Sequence, residues 1–498
     1  MTDVIEGTSQ LEQSWAPPQD RRQRPPRRVG KVVTSPIGML VAGLVTGVVF
    51  DLAVRQSRVG VGTALWCLAV VFGLLLVARH RRASTVVWFA SLAFVPWYAL
   101  RSSPWLLVPN TLAFVALAGY GADLAAGGPV RRSVSGLCRV AMSALGAVFE
   151  MPSVFVRAIS LWLDGVTGKR RGTLRRVGRS LAIAMPVVVA LFALLMSGDA
   201  LFAATFNVNA GQTMSHVMLT AFGLLLFATM LTMATGPSRV AAVVRPARLR
   251  SLDAAMLLGG VSVLFVAYAT VQLSGFIHGA RYIERQTGLT YAEYARSGFF
   301  QLMGAATISF VLLCVVRPTI HEAILRRRMM RWLVMSVVLL TQVLVVGSII
   351  RLRLYSDVFG LTHLRLYTVV SAGWLGLVVI LAGAAALRRG RGDWMAVTAS
   401  ALAALAIFGM NLVNPDRLVA QENIGRVDYS TARFDGTYLA LLSSDAVPWI
   451  VDHIGEVPAD QRDQLVTALC TVSYKRDGWL SYNASDAAAE DALAELCT

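Results

Sequence analysis

Long apolar runs constrain this chain before anything else, because a segment of about 20 apolar residues matches the roughly 30 Å hydrocarbon thickness of a bilayer. Such runs fall near 36–54, 59–78, 83–100, 105–124, 180–199, 212–235, 252–275, 297–316, 332–350, 366–387 and 394–413. They predict an all-α polytopic membrane protein of about 11 transmembrane helices. The composition agrees: 56% of residues are hydrophobic, only 15% are charged, and the mean hydropathy is +0.60. That balance is far from an ordinary soluble domain.

A formal net charge of +17 raises the question of nucleic acid. No basic stripe with interleaved aromatics and no nucleic-acid motif accompanies it, so that class of partner is set aside. The charge is topological instead. With a cytoplasmic N-terminus, the segments 21–31, 79–82, 131–179, 239–250, 317–331 and 388–391 lie inside and hold 31 Lys and Arg, against nine in the outer loops. This is the positive-inside pattern, and an odd number of spans leaves the C-terminus outside. Membrane lipids are the partner implied for the basic inner face.

Three stretches stand apart from the spans. Residues 1–35 are polar and contain Pro17, Pro18, Pro25 and Pro26, a composition that predicts a disordered basic arm on the cytoplasmic side. No short apolar segment with a cleavage site precedes the first span, so a signal peptide is not expected. Within 131–179, Ser135, Arg139 and Ser143, then Ser153, Arg157, Ser160 and Asp164, recur at helical spacing. They predict amphipathic helices in the interface plane; the plainer reading is a solvated loop that sets topology. Residues 414–498 form the third stretch. Helical patterns near 415–425, 435–454, 459–474 and 486–497, broken by Gly436, Gly455, Pro458 and Gly478, predict a small helical extracytoplasmic domain. Charge reverses there, with six basic against 14 acidic residues from 413 onward. Cys470 and Cys497 both fall in this region, and a disulfide between them, permitted in an oxidising compartment, would tie down the last helix.

Between two spans, Gly288 to Gln301 reads GLTYAEYARSGFFQ. Thr290 and Glu293 stand in the T-x-x-E spacing of a capping box, so a polar helix start leads directly into apolar sequence at Phe299. A second Gly-Leu-Thr, ending at Thr362, is expected to cap another returning helix, with Gly288 and Gly360 giving the tight entries. Repeated halves are a habit of transporters, although a shared need for caps explains three matching residues equally well.

Four segments carry a likeness. PVVVALFALLMSGDALF (186–202), VQLSGFIHGARYIERQTGLTYAEYARSGFFQL (271–302), SIIRLRLYSDVFGLTHLRLY (348–367), and VNPDRLVAQENIGR followed by FDGTYLALLSSDAVPWIV (413–426, 434–451) resemble a family of bacterial polytopic membrane proteins catalogued only as a domain of unknown function. The resemblance spans roughly the C-terminal two thirds of the chain. It implies a membrane-helical fold and brings no reaction, substrate or cofactor.

Charged residues at the outer span ends should pair or line a wet cavity, because ionisable groups beside hydrocarbon are costly. Asp199, Glu293, Arg296, Arg351 and Arg353 are the expected lining of an outward-facing polar pocket; interfacial anchoring is the alternative. His80, His216, His278, His321, His363 and His453 form no metal-ligand pair. No nucleophile elbow, P-loop or dinucleotide fingerprint stands in a strand–helix setting, so no metal or cofactor is implied. Three readings follow. The first is a non-enzymatic envelope anchor, regulatory or interaction protein; the second is a transporter or lipid-handling protein; the third is a membrane-embedded enzyme with Glu293 or Asp199 as acid or base.

Overall fold

The computed structural model describes residues 36–54, 58–78, 81–128, 130, 251–278, 299–319, 327–388, 394–425, 436–474 and 478–497, with isolated positions between 216 and 230. Every regular element among them is helical. Five helices are long and apolar enough to cross a membrane: Arg82–Leu100, Pro104–Ala125, Arg328–Asp357, His363–Leu387 and Met395–Val413. Shorter apolar helices cover Val41–Ala53, Val61–Val77, Ala254–Val266 and Leu302–Cys314. These helices fit a multi-pass integral membrane protein. The span expected near 180–199, the interfacial segment 131–179, and Thr290 with the rest of its capping box lie outside the described residues.

In chain order, α1 (Pro36–Val54) and α2 (Val61–Val77) form an antiparallel pair. Next come α3 (Arg82–Ser91), a 3₁₀ turn (Leu92–Phe94), α4 (Trp97–Leu100) and α5 (Pro104–Ala125). Pro104 stands in the first turn of α5, where the missing N–H costs nothing. Trp88 of α3 is fully buried against α5 and donates its indole N–H to the Ala118 carbonyl at 3.1 Å. A first apolar core, including Trp66, Trp88, Tyr98 and Phe114, joins these helices.

A second core joins α6 (Ser251–His278), α7 (Phe299–Thr319), α8 (Arg328–Phe359), α9 (His363–Leu387) and α10 (Met395–Val413). Several of their polar residues bond within a helix or across to a neighbouring one. Thr307, Ser309 and Thr341 return their hydroxyls to carbonyls one turn back, Ser336 bonds Leu333 and Ser262, and the Gln342 amide reaches the Gly376 carbonyl. α8 outruns the apolar run 332–350. Its 32 residues correspond to about 48 Å at the usual helical rise, and nothing stops it before Gly360, at φ 77°.

The C-terminal part is a layer of short helices with its own apolar core, including Val419, Leu439, Val447, Ile450, Leu465 and Leu493. Its elements are α11 (Pro415–Ile424), α12 (Gly436–Ala440), α13 (Val447–Asp452), α14 (Ala459–Thr471) and α15 (Ala484–Leu496). The pattern over 435–454 is two helices, the second beginning near Ser444, where Pro448 is tolerable only in a first turn. The Ser443–Ala446 turn divides them, and α13 restarts with Pro448 in its first turn. Cys470 and Cys497 are bonded to each other, joining the end of α14 to the end of α15 with Cα atoms 5.7 Å apart.

Candidate functional site

The densest polar assembly among the described residues is the seam between this layer and one end of the helix bundle. Three carboxylate contacts cross it. Arg58, after α1, lies 3.4 Å from Asp486 of α15. Arg101, at the end of α4, lies 3.9 Å from Asp445. Nε2 of His363, the first residue of α9, stands 3.1 Å from Oδ2 of Asp416 in α11. The three carboxylates are at most 6% exposed. Arg58, Arg101 and His363 all stand at helix ends, between α1 and α2, after α4 and at the start of α9.

Each carboxylate is seated for a local reason. Between α4 and α5 the chain is extended at Arg101 and Ser103, so the amides of Ser102 and Ser103 lack helical partners and both donate to Asp445 Oδ2, at 3.1 and 2.9 Å. A carboxylate at this position also faces the positive end of α5. Its other oxygen accepts from Ser485. In α11, Asn414 adopts a left-handed conformation at φ 56° and caps the Arg417 amide, while its own amide donates to the Asp445 carbonyl. That turn presents Asp416 toward His363, and the second oxygen of Asp416 accepts from the Ser443 amide at 2.9 Å. His363 is held in turn by Tyr438, whose hydroxyl meets its backbone N–H at 3.0 Å and its Nδ1 at 3.1 Å.

The two buried carboxylates respond oppositely. Burial pushes Asp416 up, but the facing His363, with help from Ser103 and the Ser443 amide, brings it below the usual carboxylate range. Nε2 of His363 and Oδ2 of Asp416 are both shut off from solvent where they meet. Burial pushes Asp445 above that range, and neighbouring Asp416 adds to the rise, despite the bonds from Ser485 and Ser103.

Asparagines supply the neutral links. Asn483, fully buried, donates to the carbonyls of Tyr98 at 3.1 Å and Arg101 at 2.7 Å, while its oxygen caps α15 at the Ser485 amide. The Asn423 side chain exchanges two 2.8 Å bonds with the backbone of Leu361. Inside the bundle, Asn110 and Asn411 exchange amide bonds of 2.8 and 2.7 Å, and Arg101 caps the Asn411 carbonyl.

Of the residues singled out from sequence, Thr362 caps α9 by accepting from the Arg365 amide. Arg351 is buried and Arg353 exposed; two residues apart on α8, they are about 200° apart around the axis and do not share a face. Asp199, Glu293 and Arg296 lie outside the described residues. Asp416, Asp445, Asp486, Asn483 and His363 were not singled out together, since the seam joins residues up to 428 positions apart. Local signals did exist: Asn-Pro-Asp at 414–416 and Asn-Ala-Ser-Asp at 483–486 both read as helix starts.

The model of a family described as a domain of unknown function, DUF4153, matches residues 84–453. The chain belongs to this family. No curated protein and no solved structure matches. The DUF4153 region contains the Arg101–Ser103 corner, His363, Asp416 and Asp445, whereas Asn483, Ser485, Asp486 and the disulfide lie beyond it.

Proposed function

We propose that this protein is a non-enzymatic membrane scaffold: a helix bundle that holds the acidic C-terminal layer as a fixed cap on the extracytoplasmic side, for regulatory or interaction work in the envelope. The observation carrying this reading is what the seam's side chains bond. Asp445 and Asn483 are committed to backbone amides and carbonyls of the 98–103 corner. Groups used this way position a layer, and they are not free to meet a substrate.

A second reading, acid–base chemistry at Asp416, draws support from the contrast between two adjacent carboxylates, one held low and one high. Such divergence is a habit of catalytic pairs. The buried Tyr367 hydroxyl, which makes no hydrogen bond, adds to it.

One experiment separates them. In a deletion strain, Asp416→Asn is scored for rescue of whatever envelope defect the deletion causes, alongside protease resistance of the C-terminal layer. The scaffold reading expects rescue wherever the layer stays resistant. Lost rescue with a resistant layer would favour chemistry at Asp416. Reporter fusions after Arg326 and after Arg426 test orientation separately, because the proposal needs them on opposite sides of the membrane.

A further inference from the structure

The segment Gly478–Asn483 lies against the start of α2. The Val61 amide donates to the Tyr482 carbonyl at 3.1 Å, and Asn483 holds the carbonyls of Tyr98 and Arg101. Approach is so close at Gly60 that a Cβ there would sit 2.5 Å from the Tyr482 oxygen. Ser481 and Asn483 are buried in this contact, whereas Trp479 between them and the α14 end is 68% exposed and Tyr482 41% exposed. A rigidly held backbone therefore carries one large ring mostly in the open, that of Trp479, and beside it the partly exposed ring of Tyr482.

Their level is fixed by the helices beside them. Leu65, Leu68, Phe72 and Leu76 form an exposed stripe along α2, the face such a span turns to hydrocarbon. At the same end of the bundle, Trp105 in the first turn of α5, stacked on His363 by one face, is also exposed. Aromatic rings gathered at span ends are the mark of the membrane–water boundary, where an amphipathic ring keeps its apolar body in lipid and its polar edge in water.

We propose that Trp479 and Tyr482 form a lipid-contacting foot: both rings sit in the headgroup region beside α2, so the C-terminal layer rests on the bilayer surface as well as on the spans. The partner is the phospholipid boundary itself. The inference rests on the bilayer reading of the spans and is independent of which side the layer faces.

The full chain, disulfide intact, is reconstituted in phosphatidylcholine–phosphatidylglycerol vesicles and compared with Trp479→Phe. The wild-type-minus-variant emission isolates one of the chain's 11 tryptophans. Expected is a component quenched by lipids brominated near the top of the acyl chain and protected from iodide. Quenching by iodide alone would mean an indole open to water, and quenching by neither would mean one covered by protein; either overturns the proposal. Trp479→Tyr serves the same subtraction if Trp479→Phe fails to accumulate.

Discussion

Replacing Asn483 tests the seam where its geometry is most complete. Asn483→Ala removes the cap on α15, worth about 1 kcal/mol, and takes the amide donors away from the Tyr98 and Arg101 carbonyls in a site with no exposed surface at Asn483. Leaving such carbonyls unserved costs about 2 kcal/mol more. A total near 3 kcal/mol corresponds to roughly a hundredfold shift in the opening of α15 from the bundle. Hydrogen exchange followed by mass spectrometry reads that shift directly, since amides of a cooperative local unit exchange through its opening. Peptides from 484–496 should exchange about a hundredfold faster, while those from α5 and α10 remain at wild-type rates. Asn483→Asp sharpens the case. It keeps the capping oxygen but sets a carboxylate against two carbonyls, so it should open at least as readily as the alanine variant. An aspartate variant with wild-type exchange would refute the argument, because the donors would then contribute nothing.

Four other outcomes follow from the seam and its neighbours. Asp416 titrates below its ordinary value in the folded protein, so the stability it contributes is complete above about pH 4 and is lost as pH falls through the lower folded value; the melting difference between wild type and Asp416→Asn should therefore be largest near neutrality and shrink on acidification, and a pH-independent difference would refute it. Asp445, held high, has the opposite sign and favours the folded state as pH falls through its raised value. Gly360→Ala should destabilise by about 2 kcal/mol or more in thermal melts, since φ is 77° and the new Cβ would meet Asn423 Oδ1 at 2.5 Å. Reducing the Cys470–Cys497 bond, which closes 27 residues of sequence, should cost about 3 kcal/mol and speed proteolysis of α15 selectively.

Sequence alone made much of the helical architecture legible. Apolar length marks helices that can cross a bilayer, and Pro104, Thr362 and Pro448 mark where particular helices begin, because start signals act within a turn of the residue that carries them. The same local logic fails at α8. Arg351, Arg353 and Asp357 look like a span's end, yet charge does not stop a helix, and Gly360 does. Over 435–454, Pro448 asks for a helix start near Ser444, and α13 begins there with Pro448 in its first turn. The Ser443–Ala446 turn before it is held by contacts with Asp416 and Asp486, on other helices.

What the sequence determined, then, is that this chain is helical, membrane-embedded in composition and divided into a basic apolar body and an acidic tail. What only the tertiary structure decided is that three of the tail's aspartates are withdrawn from the solvated acidic surface on which Asp452, Asp463 and Asp491 remain. Asp416, Asp445 and Asp486 are buried against His363, Arg101 and Arg58. Charge counting along a chain reports the sum of its charges, whereas pairing depends on which helix ends arrive together, and that is fixed by packing between segments hundreds of residues apart.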